Sequence, residues 1–462
     1  MDPIEVKSGM YSLTDSGMVD NSTAEPIYRR YDPDVPVTNA NNNININVRD
    51  MSEYYSLSDS FLEIELQYSA GGVGAGGADD PNPLNGGVLR PCHMAGGVAS
   101  CFNTSRLRLN NVLVEDNQYS LHNSFVKVLT TKSKQWLETC GKAQGIVLDT
   151  SQGNIATKHG AANDITRIAE FNEGLLQRAE LVGDNALFAA PLTRDFAHVD
   201  PAARPQQAFT LPLSDLFSFC TVNKVLKGAP IRIELIKNSG VLNSFGTTAN
   251  AEVRVVKCVL WLKIVRPSLP VLGELESMFA SEAVVPWNYP RWNVYSSDAN
   301  REDNRRYTFS TLSQKPHTAF LMCHTADANG GSQENHLRYD HLSMTQAKIK
   351  INGKQYPYSG YDMVWTSGER SVARAYQELV KFAGRDEDTT DGFAITPQTF
   401  VSNYPVLHFD LADVEPSSGG YQVQVELNHG VPARATTIYL VVVSEAKTQV
   451  QLSNRNVLVY TN

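Results

Sequence analysis

Two stretches of the chain run through the same succession of polar and apolar positions. Arg106-Leu-Arg-Leu-Asn-Asn111 alternates charged and apolar residues and reaches an Asn-Asn pair, while Lys348-Ile-Lys-Ile-Asn-Gly353 alternates likewise and reaches Asn-Gly. Strict alternation predicts a half-buried strand, and the two-residue break predicts a tight hairpin. An aromatic follows each turn, Tyr119 and Tyr361, and both the aromatics and the leading asparagines (Asn110, Asn352) lie 242 positions apart. The period then becomes helical. Leu121, Phe125, Val128 and Leu129, continued by Trp136, Leu137 and Cys140, match Val372, Ala375, Tyr376, Leu379, Val380 and Ala383. Each stripe runs into a glycine, Gly141 or Gly384, the residue that most easily takes a left-handed stop. Strand, hairpin, aromatic, helix and glycine in one order predict an internal duplication.

Further stretches extend the duplication. Leu407-His-Phe-Asp-Leu-Ala-Asp413 resembles the chain around Phe209, Gly420 to Leu427 parallels Gly228 to Leu235, and Thr437 to Val443 parallels Val259 to Val265. The offset falls from 242 at the hairpin to 192 between Leu235 and Leu427, so the first copy carries about fifty more loop residues. Phe61-Leu-Glu-Ile-Glu-Leu66 is another alternating strand, with Leu62, Ile64 and Leu66 inward, and Val253 to Val265 reads as a buried strand. Residues 70–77, almost all glycine and alanine, form a flexible loop that continues over 79–83; 150–163 and 201–205 are also loops.

Many short strands with one helix per copy predict an all-β chain of two tandem jelly rolls. Each is an eight-stranded antiparallel sandwich with short helices in its loops, and a linker helix joins the two. The expected boundaries are 1–50 for an N-terminal arm, 51–266 for the first jelly roll, 267–285 for the linker and 286–462 for the second jelly roll. The arm is polar, bears prolines and ends in an asparagine tract with only Ile44 and Ile46 as apolar relief. It reads as a flexible tail or as one that orders against neighbouring subunits. Pro267-Ser-Leu-Pro270 breaks the chain, and Leu272 to Phe279 forms a short amphipathic helix. Pro286-Trp-Asn-Tyr-Pro-Arg-Trp292 then sets three aromatics in seven residues, a seal for the seam between domains or, alternatively, a sugar-binding platform.

Composition narrows the class. At 462 residues two domains are the natural expectation, and 19% charged residues with abundant Asn, Ser, Thr and Gly favour β-structure with polar loops. A net charge of −9 argues against wholesale binding of nucleic acid or anionic membranes. The six cysteines (Cys92, Cys101, Cys140, Cys220, Cys258, Cys323) are scattered with no CxxC pair, as in a reducing compartment, and Cys220 and Cys258 lie in strand-like apolar runs. The start, Met1-Asp-Pro-Ile-Glu-Val-Lys7, has no signal-peptide pattern, and no run approaches the ~18 apolar residues of a membrane span. The expectation is a soluble chain made without a secretory signal.

No catalytic motif emerges: there is no GxSxG elbow and no P-loop. Glu63 and Glu65 share one strand face, but as the outward positions of an amphipathic strand. Cys92-His93 with Cys101, and His324 with His336 and His341, lack metal-ligand spacing. Arg29-Arg30 and Arg305-Arg306 are diluted by nearby acids and suit solvated or inter-subunit ion pairs. Leu84-Asn-Gly-Gly87 and Met94-Ala-Gly-Gly97 are double-glycine strings of the kind glycine-rich loops produce freely. No catalytic, cofactor-binding or metal-binding residue is assigned.

The order of Tyr55-Ser-Leu-Ser-Asp-Ser-Phe-Leu-Glu-Ile64, the Asn110-Asn111 hairpin with its helix, Asn172-Glu-Gly-Leu-Leu-Gln-Arg178, and Leu213-Ser-Asp-Leu-Phe217 before Leu226-Lys-Gly228 resembles the double jelly-roll major capsid proteins of Polinton-like viruses, virophages and the adenovirus hexon lineage. The likeness is clearest over residues 54–265. It implies a structural, non-enzymatic protein of the virion, with strands roughly normal to the shell and three subunits forming a pseudo-hexameric trimer. Such trimers tile an icosahedral shell around a double-stranded DNA genome. The implied partners are the chain itself, neighbouring trimers, penton and minor or cement proteins, with a host receptor or glycan as a further candidate and no sequence-specific nucleic acid. Synthesis is expected in the host cytoplasm, and assembly there or in the nucleus. The alternatives are a two-jelly-roll deglycosylating amidase, with Glu274, Glu276 and Glu282 near the seam, and a glycan-binding attachment protein using Trp287 and Trp292.

Overall fold

The computed structural model of the chain describes residues 23–38, 41–49, 52–69, 92–150, 172–182, 206–245, 251–298, 304–309, 312, 314–325, 335–365, 371–385, 391–429, 436–451 and 458–461. The loops read at 70–77, 79–83 and 201–205, nearly all of 150–163, and the string Leu84–Gly87 lie outside these residues.

Among the described residues eight principal strands build each half, beside the short strands Cys92–His93, Val225–Leu226, Ser244–Phe245 and Leu458–Thr461. The first half contains β1 (Thr23–Tyr31), β2 (Asn43–Val48), β3 (Tyr54–Ser69), β4 (Phe102–Leu109), β5 (Val112–Gln118), β6 (Gln206–Pro212), β7 (Ile231–Lys237) and β8 (Glu252–Pro267). The second contains β9 (Val284–Asp298), β10 (Asn304–Thr308), β11 (Pro316–Thr325), β12 (Gln346–Ile351), β13 (Lys354–Asp362), β14 (Leu407–Asp410), β15 (Val423–Asn428) and β16 (Thr436–Gln451). Sheet β1-β8-β3-β6 faces β2-β7-β4-β5, and sheet β9-β16-β11-β14 faces β10-β15-β12-β13. Strand for strand the orders are the same, and the pairs are antiparallel. This is the jelly-roll order twice.

The duplicated hairpins are where the alternation places them. Asn110 and Asn111 have φ of 46° and 65°, and Asn352 and Gly353 have 48° and 84°, the two positive-φ residues of a type I′ turn. Asn352 also donates to the Gly420 carbonyl at 3.2 Å and accepts the Gln422 N–H at 2.8 Å. Asn352→Ala is expected to cost about 2–3 kcal/mol in urea denaturation, the sum of left-handed strain and the two lost bonds. A charge cluster repeats with the fold. Glu234 on β7 meets Arg106, Arg108 and Arg232, and Glu426 on β15 meets Lys348, Lys350 and Arg306. Hydrogen bonding from these cations, Lys350 first, holds the Glu426 carboxyl down at about 2.

Part of the segment read as an arm is not an arm. β1 pairs with β8, and β2 pairs with β7, so the first sandwich begins at Thr23 and not near residue 51. The reason is visible in β2: Ile44, Ile46 and Val48 are fully buried while Asn43, Asn45 and Asn47 face outward. A period-2 strand was hidden by the asparagines of its solvent face.

The stretch read as one helix from Leu121 to Cys140 is two. α1 (Ser120–Thr131) ends where Thr130 and Thr131 turn their hydroxyls back to the carbonyls of Val126 and Lys127, and Ser133 caps a new turn by accepting the Trp136 N–H. Gly141 then lies inside a π-turn, and Gly145 supplies the positive φ of 74°. In the second half α4 (Ala373–Phe382) does end at a left-handed glycine, Gly384 with φ 63°. α2 (Glu173–Val182) follows Asn172, and α3 (Leu269–Ala280) lies between β8 and β9, starting with proline in its first turn.

Candidate assembly site

The two sandwiches do not keep separate cores. Trp287, Tyr289, Ala446, Val450 and Val459 of the second half pack in the cluster of the first. Met94, Phe125, Val126, Leu129 and Phe245 of the first half pack in the cluster of the second. A seam with exchanged apolar side chains is a single cooperative contact and not a mobile hinge.

Edge strand β9 forms one side of the seam. Trp287 stacks on Phe219 at 5.2 Å and 7° and donates its indole N–H to the Phe219 carbonyl at 3.3 Å. The Phe219 turn is itself held by Glu115, a buried carboxylate on β5 that accepts the N–H groups of Ser218 and Phe219 at 3.0 and 2.9 Å. Tyr289 donates to the Val114 carbonyl, Ser296 to the Tyr119 hydroxyl at 2.9 Å, and Asn123 of α1 to the Trp292 carbonyl. Trp292 stacks on Phe320 at 5.5 Å and 3°. The aromatic run therefore seals the seam. Trp287 and Trp292, 2% and 4% exposed, present no face to a sugar.

A second tie crosses the seam at Asp149. Its carboxylate accepts from Arg178 at 2.7 Å, Asn172 at 2.8 Å and Asn335 at 2.9 Å. Its backbone N–H donates to the Tyr404 hydroxyl at 2.8 Å, and its carbonyl accepts from Asn403 at 3.1 Å. Arg178 is 0% exposed and also donates to the Val147 carbonyl. Gly174 makes this closeness feasible, because a Cβ there would stand 1.9 Å from the Leu148 carbonyl oxygen.

Histidines form the third tie. His122 of α1 lies 4.1 Å from the Tyr439 ring and 5.5 Å from His324, and His324 lies 6.1 Å from His336. Burial, with neighbouring imidazoles second, holds His122 well below the ordinary range and His324 at about 4. His341 instead stacks on Trp365 at 4.6 Å. In the other candidate set, His93 is bound on both ring nitrogens by Tyr68 and the Gly145 carbonyl, and Cys92 donates its thiol to the Phe245 carbonyl. Among the described residues no three His, Cys, Asp or Glu side chains gather as a metal-binding group.

The remaining sequence candidates are also placed. Glu63 is bound to Lys257 at 2.7 Å and to the Trp261 indole at 2.8 Å on the outer sheet face. Glu274 and Glu276 on α3, and Glu282 beyond it, are exposed. Arg30 pairs with Asp32 at 2.7 Å and Arg29 with Glu53, within the chain. Met94-Ala-Gly-Gly97 is buried, as is Cys220, which sits in the turn Ser218–Thr221 and not in a strand. All six thiols are free, and only Cys140 is exposed. No described helix is long and apolar enough to cross a membrane. Asp149 and Glu115 were missed by sequence reasoning, since their partners are remote in the chain.

Comparison with known proteins agrees with the topology. A chain of the Sputnik virophage structure superposes with a TM-score of 0.59 at 11% identity, over 100% of this chain and 93% of that one. The mavirus major capsid protein gives 0.55 at 9% identity over 97% and 92%, and a chain of the PBCV-1 virus capsid gives 0.53 at 8% over 97% and 100%. No family model and no curated protein matches the sequence. The fold is thus an all-β double jelly roll. Over nearly its whole length it is the fold of viral major capsid proteins.

Proposed function

We propose that the chain is a major capsid protein that assembles as a pseudo-hexameric homotrimer and tiles the icosahedral shell of a double-stranded DNA virus. The supporting observation is the seam. Inside one chain, edge strand β9 of the second half lies against β5, α1 and the Phe219 turn of the first. Among the described residues, the matching edge strand β1 and the matching side of β13 carry no such partner. A head-to-tail contact with one half used internally and the other half open at both ends closes into a ring between copies. Two like lobes per chain make a threefold ring six-lobed, which suits hexagonal packing.

The virion is accordingly the proposed location, and neighbouring trimers, penton and minor capsid proteins the proposed partners. The structure favours neither rival: the seam tryptophans are buried, and the glutamates near it are exposed on or beyond one helix. Light scattering after size exclusion tests the reading. A species of about 153 kDa, three times the 50.9 kDa chain, is expected. A monodisperse single chain at micromolar concentration would overturn the trimer.

A further inference from the structure

The internal seam also indicates which surfaces meet between copies. In the first half, β9 is received by three features in series: β5 with Tyr119 at its end, α1, and the opening of the β6–β7 connection at Phe219. In the second half the same three features surround a groove of about 1000 Å³. Tyr356, Tyr358 and Tyr361 come from β13, Glu378 from α4, Asp410 from the end of β14 and Asp413 from the start of the β14–β15 connection. Tyr361 is the residue 242 positions from Tyr119. Tyr358 is 95% exposed, which is anomalous for a tyrosine on a sheet edge.

Resting on the trimer reading, we infer that this groove receives strand β1 of a neighbouring copy, with Arg30 seated among Glu378, Asp410 and Asp413. The register comes from the seam. The parallel stretches Val259–Val265 of β8 and Thr437–Val443 of β16 set Trp261 at the position of Tyr439. Arg30 is opposite Trp261 and Ser296 is opposite Tyr439, so Arg30 holds in β1 the place Ser296 holds in β9. Ser296 touches Tyr119 across the internal seam, and its counterpart therefore comes to the same end of β13, where Tyr361 is buried with its hydroxyl donating to the His408 carbonyl and Tyr358 is the open ring.

Charge agrees with this placement. The groove contributes three carboxylates; of the cations beside it, Lys354 is engaged by Glu415 at 2.7 Å, and Arg374, over the Tyr361 ring, donates to the Ser359 hydroxyl and the Gly360 carbonyl. β1 presents Arg29 and Arg30, whose side chains are 47% and 50% exposed and pair with Glu53 and with Asp32, an exposed partner that Arg30 would exchange for the groove carboxylates. Opposed charges across an interface fix register and suppress wrong pairings. β1 is also a sheet edge whose outer side pairs with no strand among the described residues, and such edges are normally covered.

The test uses the full chain with Cys140→Ser, which removes the exposed native thiol, and adds Arg30→Cys and Tyr358→Cys. Both positions are exposed, so the fold tolerates them. A short bismaleimide is expected to link chains into a ladder ending at three, and neither single variant does so. If light scattering shows the trimer but no inter-chain product forms, the docking is wrong and the trimer stands. If the particle is a single chain, the trimer reading itself falls and the docking with it. Independently, Arg30→Glu is expected to raise the concentration for half-dissociation about tenfold, with Asp413→Lys restoring part of the loss. An unchanged dissociation midpoint in Arg30→Glu would overturn the placement of that side chain.

Discussion

Asp149→Ala is expected to destabilise the chain by about 3–5 kcal/mol, one of the two largest effects the structure supports. The loss does not measure the strength of the Asp149–Arg178 pair. Removing the carboxylate leaves a guanidinium that is 0% exposed with its charge uncompensated, and leaves the donors of Asn172 and Asn335 without that acceptor. Replacing both partners tests this account, since an apolar pair of similar volume removes the buried charge together with its counter-charge. Asp149→Leu with Arg178→Met should therefore recover most of the loss in urea denaturation, and the coupling between the two sites should exceed about 1 kcal/mol. A single Asp149→Ala costing under about 1 kcal/mol would show that water reaches Arg178 and that the tie is peripheral. The position matters because Asp149 belongs to the first half while Asn335, Asn403 and Tyr404 belong to the second.

That tie marks where sequence reasoning stops. The hairpins at Asn110 and Asn352 were legible because their turn chemistry is local: positive φ at two successive residues requires Asn or Gly. The aromatic run was legible as a contact surface from three rings beside a proline break, but only the burial of Trp287 and Trp292 decides for a seam over a sugar platform. Strand β2 was not, because its buried residues number only three and alternate with asparagines that read as a polar tract. The 29 positions from Asp149 to Arg178, and the 255 to Tyr404, carry no periodic signal at all. Arg178 did fall inside a motif shared with the resembling family, but as a pattern without a role. Tertiary hubs built on loops leave only their residue types in the sequence, and Asp, Arg and Asn are the types least distinguishable from ordinary surface.

The duplication itself was legible for a further reason. Both copies keep a central glutamate flanked by cations on the solvent face of one sheet, and the offset of 192 carries Glu234 onto Glu426 while 242 carries Arg106 and Arg108 onto Lys348 and Lys350. Two offsets in one sheet mean that length was gained in the loops between its strands. The fold absorbs such additions cheaply, because loop closure grows only logarithmically with length.

Acidification from pH 7.5 to 5 is expected to produce the second large effect, through the buried imidazoles. His324 and His408 titrate at about 4 in the folded chain, His93 at about 3, and His122 well below its ordinary value, in each case chiefly because burial disfavours the charged ring. The unfolded chain binds protons on the same groups near pH 6.5. Between about 6.5 and 4 the unfolded state therefore holds more protons, so stability is intact above that window and falls as pH drops through it. At pH 5 the loss is on the order of 2 kcal/mol for each group. The seam takes a direct share, because His122 stands on α1 of the first half and His324 on β11 of the second, both against Tyr439. Urea midpoints at the two pH values measure the total, and His324→Gln isolates one contribution by flattening the slope between them. Equal midpoints at pH 7.5 and 5, with the carboxylate clusters still ionised, would mean that the rings gain protons in the folded state and that the seam admits water.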